Sequence, residues 1–230
     1  MSHIVSTLAT LRETMAEACQ RAGRRPESVQ LLAVSKTQPA GMVNQAAMAG
    51  QRMFGENRVQ EAREKIPLVQ QTGLHWHLIG PLQRNKVKLA VQWFEMIQSV
   101  DSVDLAREID RRMAPDRIMP ILLQVNVGGE VQKSGLAPQA LEPALLEIAQ
   151  LPRLSVQGLM TVPPYEEDPR STRPYFRQLA NLARAMTALS IPGVSMETLS
   201  MGMSHDFEVA IEEGATMVRI GSSLFGTRDG

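Results

Sequence analysis

Eight short apolar runs punctuate this chain, the first seven each followed by a stretch of helical spacing, and nothing interrupts the series. The first run, residues 29–35 (Val-Gln-Leu-Leu-Ala-Val-Ser), is mostly apolar throughout, as a strand buried on both faces must be. The remaining strands are read at Met53–Asn57, His75–Ile79, Met96–Val100, Ile118–Val127, Ser155–Val162, Glu197–Met201 and Met217–Gly221. Helices are read from Pro39 to Gly50 and at Arg58–Lys65, Gln83–Val91, Leu105–Met113, Pro138–Gln150, Thr172–Leu189 and Asp206–Glu213. Ahead of them, Ile4, Leu8, Leu11, Met15 and Ala18 fall at helical spacing and predict an extra N-terminal helix over Ile4–Ala22, stopped by Gly23. Strict alternation requires parallel strands joined by helical crossovers. Eight such units favour a closed (β/α)8 TIM barrel over an open doubly wound sheet. The chain has 230 residues, a little short against the roughly 250 of a typical barrel, yet long enough for one large core. Pro163-Pro164 and the residues to Pro169 are the most linker-like stretch, but the units stay in step beyond it. It reads as a long loop at the barrel mouth, leaving one domain over residues 1–230.

Composition narrows the function. Lys plus Arg and Asp plus Glu both number 24, so no long-range field draws the chain to nucleic acid or to an anionic membrane. Such a balance still permits a local cluster of cations around one phosphate. Cys19 is the one cysteine, which rules out an intrachain disulfide. Residues 1–11 lack the apolar core and cleavage site of a signal peptide, and no stretch approaches the roughly 18 apolar residues of a membrane span. A cytoplasmic protein is expected.

In a barrel of this kind, chemistry gathers at the C-terminal ends of the strands. Strand one ends Ser35-Lys36-Thr37, and period two puts Lys36 on the face of Val34 and Leu32. An inward amine among aliphatic walls is expected to be desolvated, which lowers its pKa and favours the neutral nucleophile of a Schiff base. The other reading is a rim lysine that snorkels to water. In strand eight, Arg219 and Gly221 are expected to point inward while Val218 and Ile220 face the helices. A buried guanidinium needs an acceptor, either a ligand or a carboxylate such as Glu56 or Asp101. Strand seven ends in Leu199 to Ser204 and strand eight leads into the loop Gly221-Ser222-Ser223, and the loops after these two strands often cradle a phosphate in this barrel. His75 and His77 alternate on strand three, but no acidic and histidine set completes a metal shell. His77 is either a polar wall residue of a site or a core hydrogen-bonding residue. Asn57, Gln124 and Asn126 are similar, touching a ligand or one another. Residues 128–135 resemble a nucleotide loop only superficially, because the Walker spacing is missing; they read as a mobile loop carrying Lys133. Arg84, Lys86 and Lys88 at a helix start read as a solvated basic face, with contact to an anionic ligand or partner as the other reading.

At these positions the chain resembles the pyridoxal phosphate (PLP) homeostasis proteins, the YggS/PROSC family. The stretches that carry the likeness are residues 33–37 (AVSKT), 54–61 (FGENRVQE), 77–86 (HLIGPLQRNK), 133–136 (KSGL), 158–160 (GLM), 199–204 (LSMGMS) and 218–221 (VRIG). The resemblance implies the fold of the alanine racemase N-terminal barrel, with PLP as cofactor. It implies an internal aldimine on Lys36, with Arg219 approaching the pyridine nitrogen. It also implies a phosphate held by Ser200, Gly221, Ser222 and the backbone around Met201, with Asn57 and His77 among the cofactor-binding residues. One departure is that Gln38 stands where the family often has a second lysine. That departure bears on exchange roles given to such a lysine and leaves cofactor binding untouched.

Three activities are compatible with this site. PLP enzymes usually place a carboxylate against the ring nitrogen, and an arginine there cannot accept its proton. Racemases with that arrangement add a tyrosine from a separate C-terminal β domain, which has no counterpart before Gly230; Tyr165 and Tyr175 read as packing residues after strand six. The leading expectation is a non-catalytic, monomeric PLP carrier that buffers the aldehyde or passes it to PLP-dependent apoenzymes. A low-activity amino-acid racemase comes second. A Schiff-base barrel acting on sugar phosphates without PLP comes third.

Overall fold

A computed structural model describes residues 3–130 and 132–226. Its eight strands close into a barrel in sequence order, every neighbouring pair parallel and β8 returning to β1. They are β1 Gln30–Val34, β2 Met53–Glu56, β3 His75–Leu78, β4 Met96–Val100, β5 Met119–Gln124, β6 Leu154–Met160, β7 Val194–Met203 and β8 Met217–Ile220. The helices are α1 His3–Arg21, α2 Ala40–Met48, α3 Val59–Lys65, α4 Val87–Trp93, α5 Val103–Arg112, α6 Leu141–Ile148, α7 Arg173–Ala188, α8 Phe207–Glu212 and a last short turn, α9 Ser222–Phe225. The expected barrel and the extra N-terminal helix are both present.

The boundaries follow local chemistry. α2 starts directly after Pro39, whose missing N–H costs a helix start nothing. α5 begins at Val103 instead of Leu105 because Ser102 caps it, its hydroxyl accepting from the Leu105 N–H at 3.3 Å. The helices expected at Gln83 and Pro138 open as single 3₁₀ turns, Arg84–Lys86 and Pro138–Ala140, before α4 and α6. β7 runs two residues past its expected end at Met201, through Gly202, whose φ of 90° only glycine adopts freely. The final turn α9 falls where a plain Gly-Ser loop was read.

Period two along the strands divides the interior into two layers. Leu31, Ala33, Phe54, Ile97, Val218 and Ile220 pack outward against the helices in the main apolar core, and Cys19 is buried there with α1. Inside the barrel the packing is partly polar, with His77, Gln98, Gln124, Ser200 and Arg219 buried near Leu32, Leu122 and Met217. Buried polar groups must be hydrogen-bonded, and the way these satisfy one another sets the floor of the site.

Candidate functional site at the barrel mouth

A cavity of about 640 Å³ opens at the C-terminal ends of the strands, within the range of small-molecule sites. It brings together Lys36, Asn57, Arg219, Gly221 and Ser222, residues from opposite ends of the sequence. Lys133 and His205 add positive or titratable groups, and the lining among the described residues contains no carboxylate. Such a cavity suits an anion.

Lys36 lies two residues beyond the last residue of β1 and shares the cavity with Val34, as period two requires. It is exposed, however, so the burial among aliphatic walls expected from sequence is not found: the strand ends before the lysine does. The ion pairs near it belong to other lysines. Lys65, on α3, sends its ammonium to Glu56 at 2.7 Å and Glu61 at 2.8 Å, and donates to the Ser35 carbonyl at 2.6 Å. The Ser35 hydroxyl donates to the same Glu56 oxygen at 2.6 Å. Burial pushes the Glu56 carboxyl up, against the pull of Lys65 and Ser35, and its other oxygen has no partner among the described residues. On the far side of Lys36, the Thr37 N–H donates to Glu61. Thr37 has φ 64°, an unfavourable conformation for a β-branched residue that costs on the order of 1–3 kcal/mol and must be imposed by its surroundings.

Arg219 is 4% exposed and is held differently. Its guanidinium donates to the Ser200 carbonyl at 2.6 Å, the Ser200 hydroxyl at 2.8 Å and the Thr161 carbonyl at 2.7 Å. Neither Glu56 nor Asp101, the acceptors considered from sequence, meets it. Glu56 faces the helix layer and Lys65, while Asp101 lies beside the Ser102 hydroxyl. Burial pulls Arg219 down to about 10, opposed by Asp206, so it stays charged at neutral pH. Three of its five N–H donors are used by the wall, leaving two for a ligand.

The chain of bonds continues inward. The Ser200 hydroxyl donates to Gln98 Oε1 at 2.6 Å, and the Gln98 amide lies 2.8 Å from His77 Nδ1. With Arg219 able only to donate, the polarity of the whole chain is set, and His77 Nδ1 must accept. Burial lowers His77 to about 4, with a smaller push from His75, so the ring is neutral. His77 and Ser200, both read as cofactor residues, do not line the cavity but form the polar layer beneath it, and Met201, read likewise, is buried in the apolar core toward the helices. Because β7 extends to Met203, the loop that reaches the cavity is Met203-Ser204-His205. That loop is tied to the β8 loop by the Ser204 hydroxyl, which accepts from the Ser223 N–H at 3.3 Å. His75 is separate, exposed and paired with Glu95 at 2.7 Å.

More of the wall comes from the loops after β3 and β5. Gly80 lines the wall where a Cβ would come within 2.3 Å of the Asn57 carbonyl, so only glycine lets the β2 and β3 loops meet. Gln124 donates to the Ser134 carbonyl at 2.9 Å, and Asn126 to the carbonyls of Glu130 and Lys133 at 2.8 and 3.3 Å. Lys133 is ion-paired with Glu130 and donates to the Pro163 carbonyl at 3.0 Å. Thus residues 128–130 and 132–135 are anchored over one side of the mouth. Tyr165 stacks on His205 at 5.5 Å, and Tyr175 reaches Glu166; neither tyrosine lines the cavity.

Residues 7–229 match the family described as "Alanine racemase, N-terminal domain". The chain is 46% identical over 231 residues to the pyridoxal phosphate homeostasis protein of Pseudomonas aeruginosa, covering 100% of this chain and 97% of that one. The Escherichia coli K12 protein of the same name is 42% identical over 236 residues, covering 100% and 98%. Among solved structures, PipY of Synechococcus elongatus with PLP bound has a TM-score of 0.84 and 39% identity, covering 97% of this chain and 100% of that one. Alanine racemase of Clostridium difficile, at 16% identity and a TM-score of 0.70, shares the fold, covering 98% of this chain and 58% of its own. With the family match and full-length relatives agreeing, the chain belongs to the pyridoxal phosphate homeostasis proteins, within the alanine racemase N-terminal domain family.

Proposed function

We propose that this chain binds pyridoxal 5'-phosphate in the mouth cavity, linked as a Schiff base to Lys36, and serves PLP homeostasis as a carrier. The observation that carries the reading is the meeting of an exposed amine, a fixed guanidinium and two hydroxyl-bearing loops in one cavity without a carboxylate. The relatives' name and the PLP bound to PipY support the choice of ligand. Bound there, PLP supplies an aldehyde open to attack by an amine and a ring that withdraws electrons best when its nitrogen is protonated. Lys36 provides the amine. Ser204, Gly221 and Ser222 provide hydroxyls and N–H groups for the phosphate, with Asn57 on the opposite wall.

Arg219 is the residue that separates carrier from catalyst. A guanidinium fixed by three wall acceptors donates hydrogen bonds and neither takes nor returns a proton at neutral pH. Facing the ring nitrogen, as the family resemblance implies, it keeps that nitrogen unprotonated and the ring a weak electron sink. No tyrosine among the described residues lines the cavity to act as a second base. An exposed lysine also suits release, so PLP-dependent apoenzymes are the transient acceptors in this reading. We further place the protein in the cytoplasm, acting as one PLP-binding domain and as a monomer. Among the described residues, no helix is long and apolar enough to cross a membrane.

The test is a titration of the protein with PLP followed by visible absorbance, with alanine racemisation and reactivation of a PLP-free aminotransferase measured on the same sample. Saturable binding, reactivation and negligible racemisation are expected. Turnover of alanine that is abolished by Lys36→Ala would replace the carrier with the racemase, and a protein that takes up no PLP would overturn both.

A further inference from the structure

The two peptide groups that bracket Lys36 are both gripped by one network, buried at Glu56 and Lys65 and half-buried at Glu61. The carbonyl of Ser35, which precedes Lys36, accepts from Lys65 Nζ at 2.6 Å. The N–H of Thr37, which follows it, donates to Glu61. Glu61 and Lys65 sit one turn apart on α3 and pair at 2.8 Å, so the ring closes through the helix. Glu56 supports the ammonium from β2 and is itself fully buried. All of this lies on the helix side of the barrel wall, whereas the Lys36 side chain faces the cavity. The network therefore fixes the Lys36 Cα from behind without touching its amine.

We propose that Glu61 and Lys65 are positioning residues for Lys36, holding the backbone on either side of it so that the amine meets an aldehyde in the cavity at the right angle. The proposal rests on the reading of Lys36 as the covalent PLP site. A lysine has four flexible methylenes, and anchoring its base removes the part of the search that the side chain cannot correct for itself. Thr37 held at φ 64° is the imprint of that anchoring: left alone, the loop relaxes and the lysine root turns with it.

The experiment compares the full-length wild type with Glu61→Ala, Glu61→Gln and Lys65→Met. Two quantities are read. One is the rate constant for covalent reaction of PLP with Lys36, from the growth of visible absorbance, with the adduct located by borohydride reduction and peptide mass mapping. The other is the affinity for pyridoxine 5'-phosphate, which carries an alcohol in place of the aldehyde and so reports the cavity without the covalent step. Glu61→Ala is expected to slow the covalent step about tenfold or more. Glu61→Gln keeps an acceptor for the Thr37 N–H and is expected to restore most of the rate. Both should bind pyridoxine 5'-phosphate within about twofold of wild type, since the cavity lining is unchanged. Lys65→Met should slow the step at least as much; because it removes the partner of a buried carboxylate it can fail to fold, and the Glu61 pair then decides. An unchanged rate in Glu61→Ala, a rate loss matched by loss of pyridoxine 5'-phosphate affinity, or no recovery in Glu61→Gln would overturn the positioning role. A wild type that binds pyridoxine 5'-phosphate but forms no adduct on Lys36 would instead overturn the covalent reading on which it rests.

Discussion

Lys36 and Arg219 reach the same cavity from neighbouring strands, β1 and β8, and the protein restrains them in opposite ways. Arg219 is held by its own functional group, which spends three donors on Ser200 and Thr161 and is almost wholly buried. Lys36 is held through its neighbours, with the amine left exposed. One charge is part of the wall and the other is only presented by it. A guanidinium that must never move a proton tolerates burial, provided that its acceptors are in place. An amine that must form and release a bond cannot be committed to the core in that way.

Substitutions on the two sides should therefore differ more in stability than in chemistry. The largest cost is expected behind Lys36, not at it. Lys65→Met strands the Glu56 carboxylate in the core and should cost about 3–5 kcal/mol. In a thermal melt that is a fall on the order of 10 °C, at roughly 2–4 °C per kcal/mol for a chain of this size. Lys65→Met together with Glu56→Leu should recover much of the loss, because an apolar pair leaves no orphaned charge.

Arg219→Met should cost about 2–4 kcal/mol, since it leaves the Thr161 and Ser200 carbonyls short of a donor in a dry interior. A melt unchanged by this substitution would mean that Arg219 is not part of the wall, and the contrast with Lys36 would collapse.

The floor under Arg219 should show itself in pH. His77 is held neutral, at about 4 against an ordinary 6.5, so its folded pKa is the depressed one. Its share of stability is complete above about pH 6.5 and is lost as pH falls toward 4, about 3 kcal/mol in all. Glu56 and Asp206 are raised by burial; the folded state takes up their protons more readily and works against this slope. The clean measurement is the difference in denaturant stability between wild type and His77→Gln from pH 7 to 4. Wild type should lose ground to the variant as pH falls, and a flat difference would place a charged or solvated ring at this position.

The smallest stability effect belongs to the residue on which the proposed function turns. Lys36→Ala should change the melting behaviour by no more than about 0.5 kcal/mol, as expected of an exposed side chain with no ion pair among the described residues.

How much of this was legible in the sequence differs between the same two sides. The barrel was legible because its strands are buried on both faces and punctuated by Gly and Pro, and Lys36, Arg219 and Gly221 followed from period two. The partners of Arg219 were not. They include backbone carbonyls, which leave no trace in residue type, so acidic side chains were the natural guess. The loop after strand seven was misplaced for a related reason. Ser-Met-Gly-Met reads as a turn, but Gly202 at positive φ carries the strand on to Met203, placing Ser204 at the cavity and Ser200 beneath it. Glu61 and Lys65 stand in the sequence only as residues of the expected Arg58–Lys65 helix, with Glu61 closing the 54–61 stretch. Their hold on Ser35 and Thr37 exists only once α3 is packed beside the end of β1.

The most direct test of the central claim is borohydride reduction of the PLP-treated protein, followed by digestion and mass mapping of the pyridoxyl adduct. A single adduct on Lys36, absent from Lys36→Ala, is the expected result. An adduct on Lys65 or Lys133, or on many surface lysines without preference, would contradict the assignment of Lys36 as the presented amine.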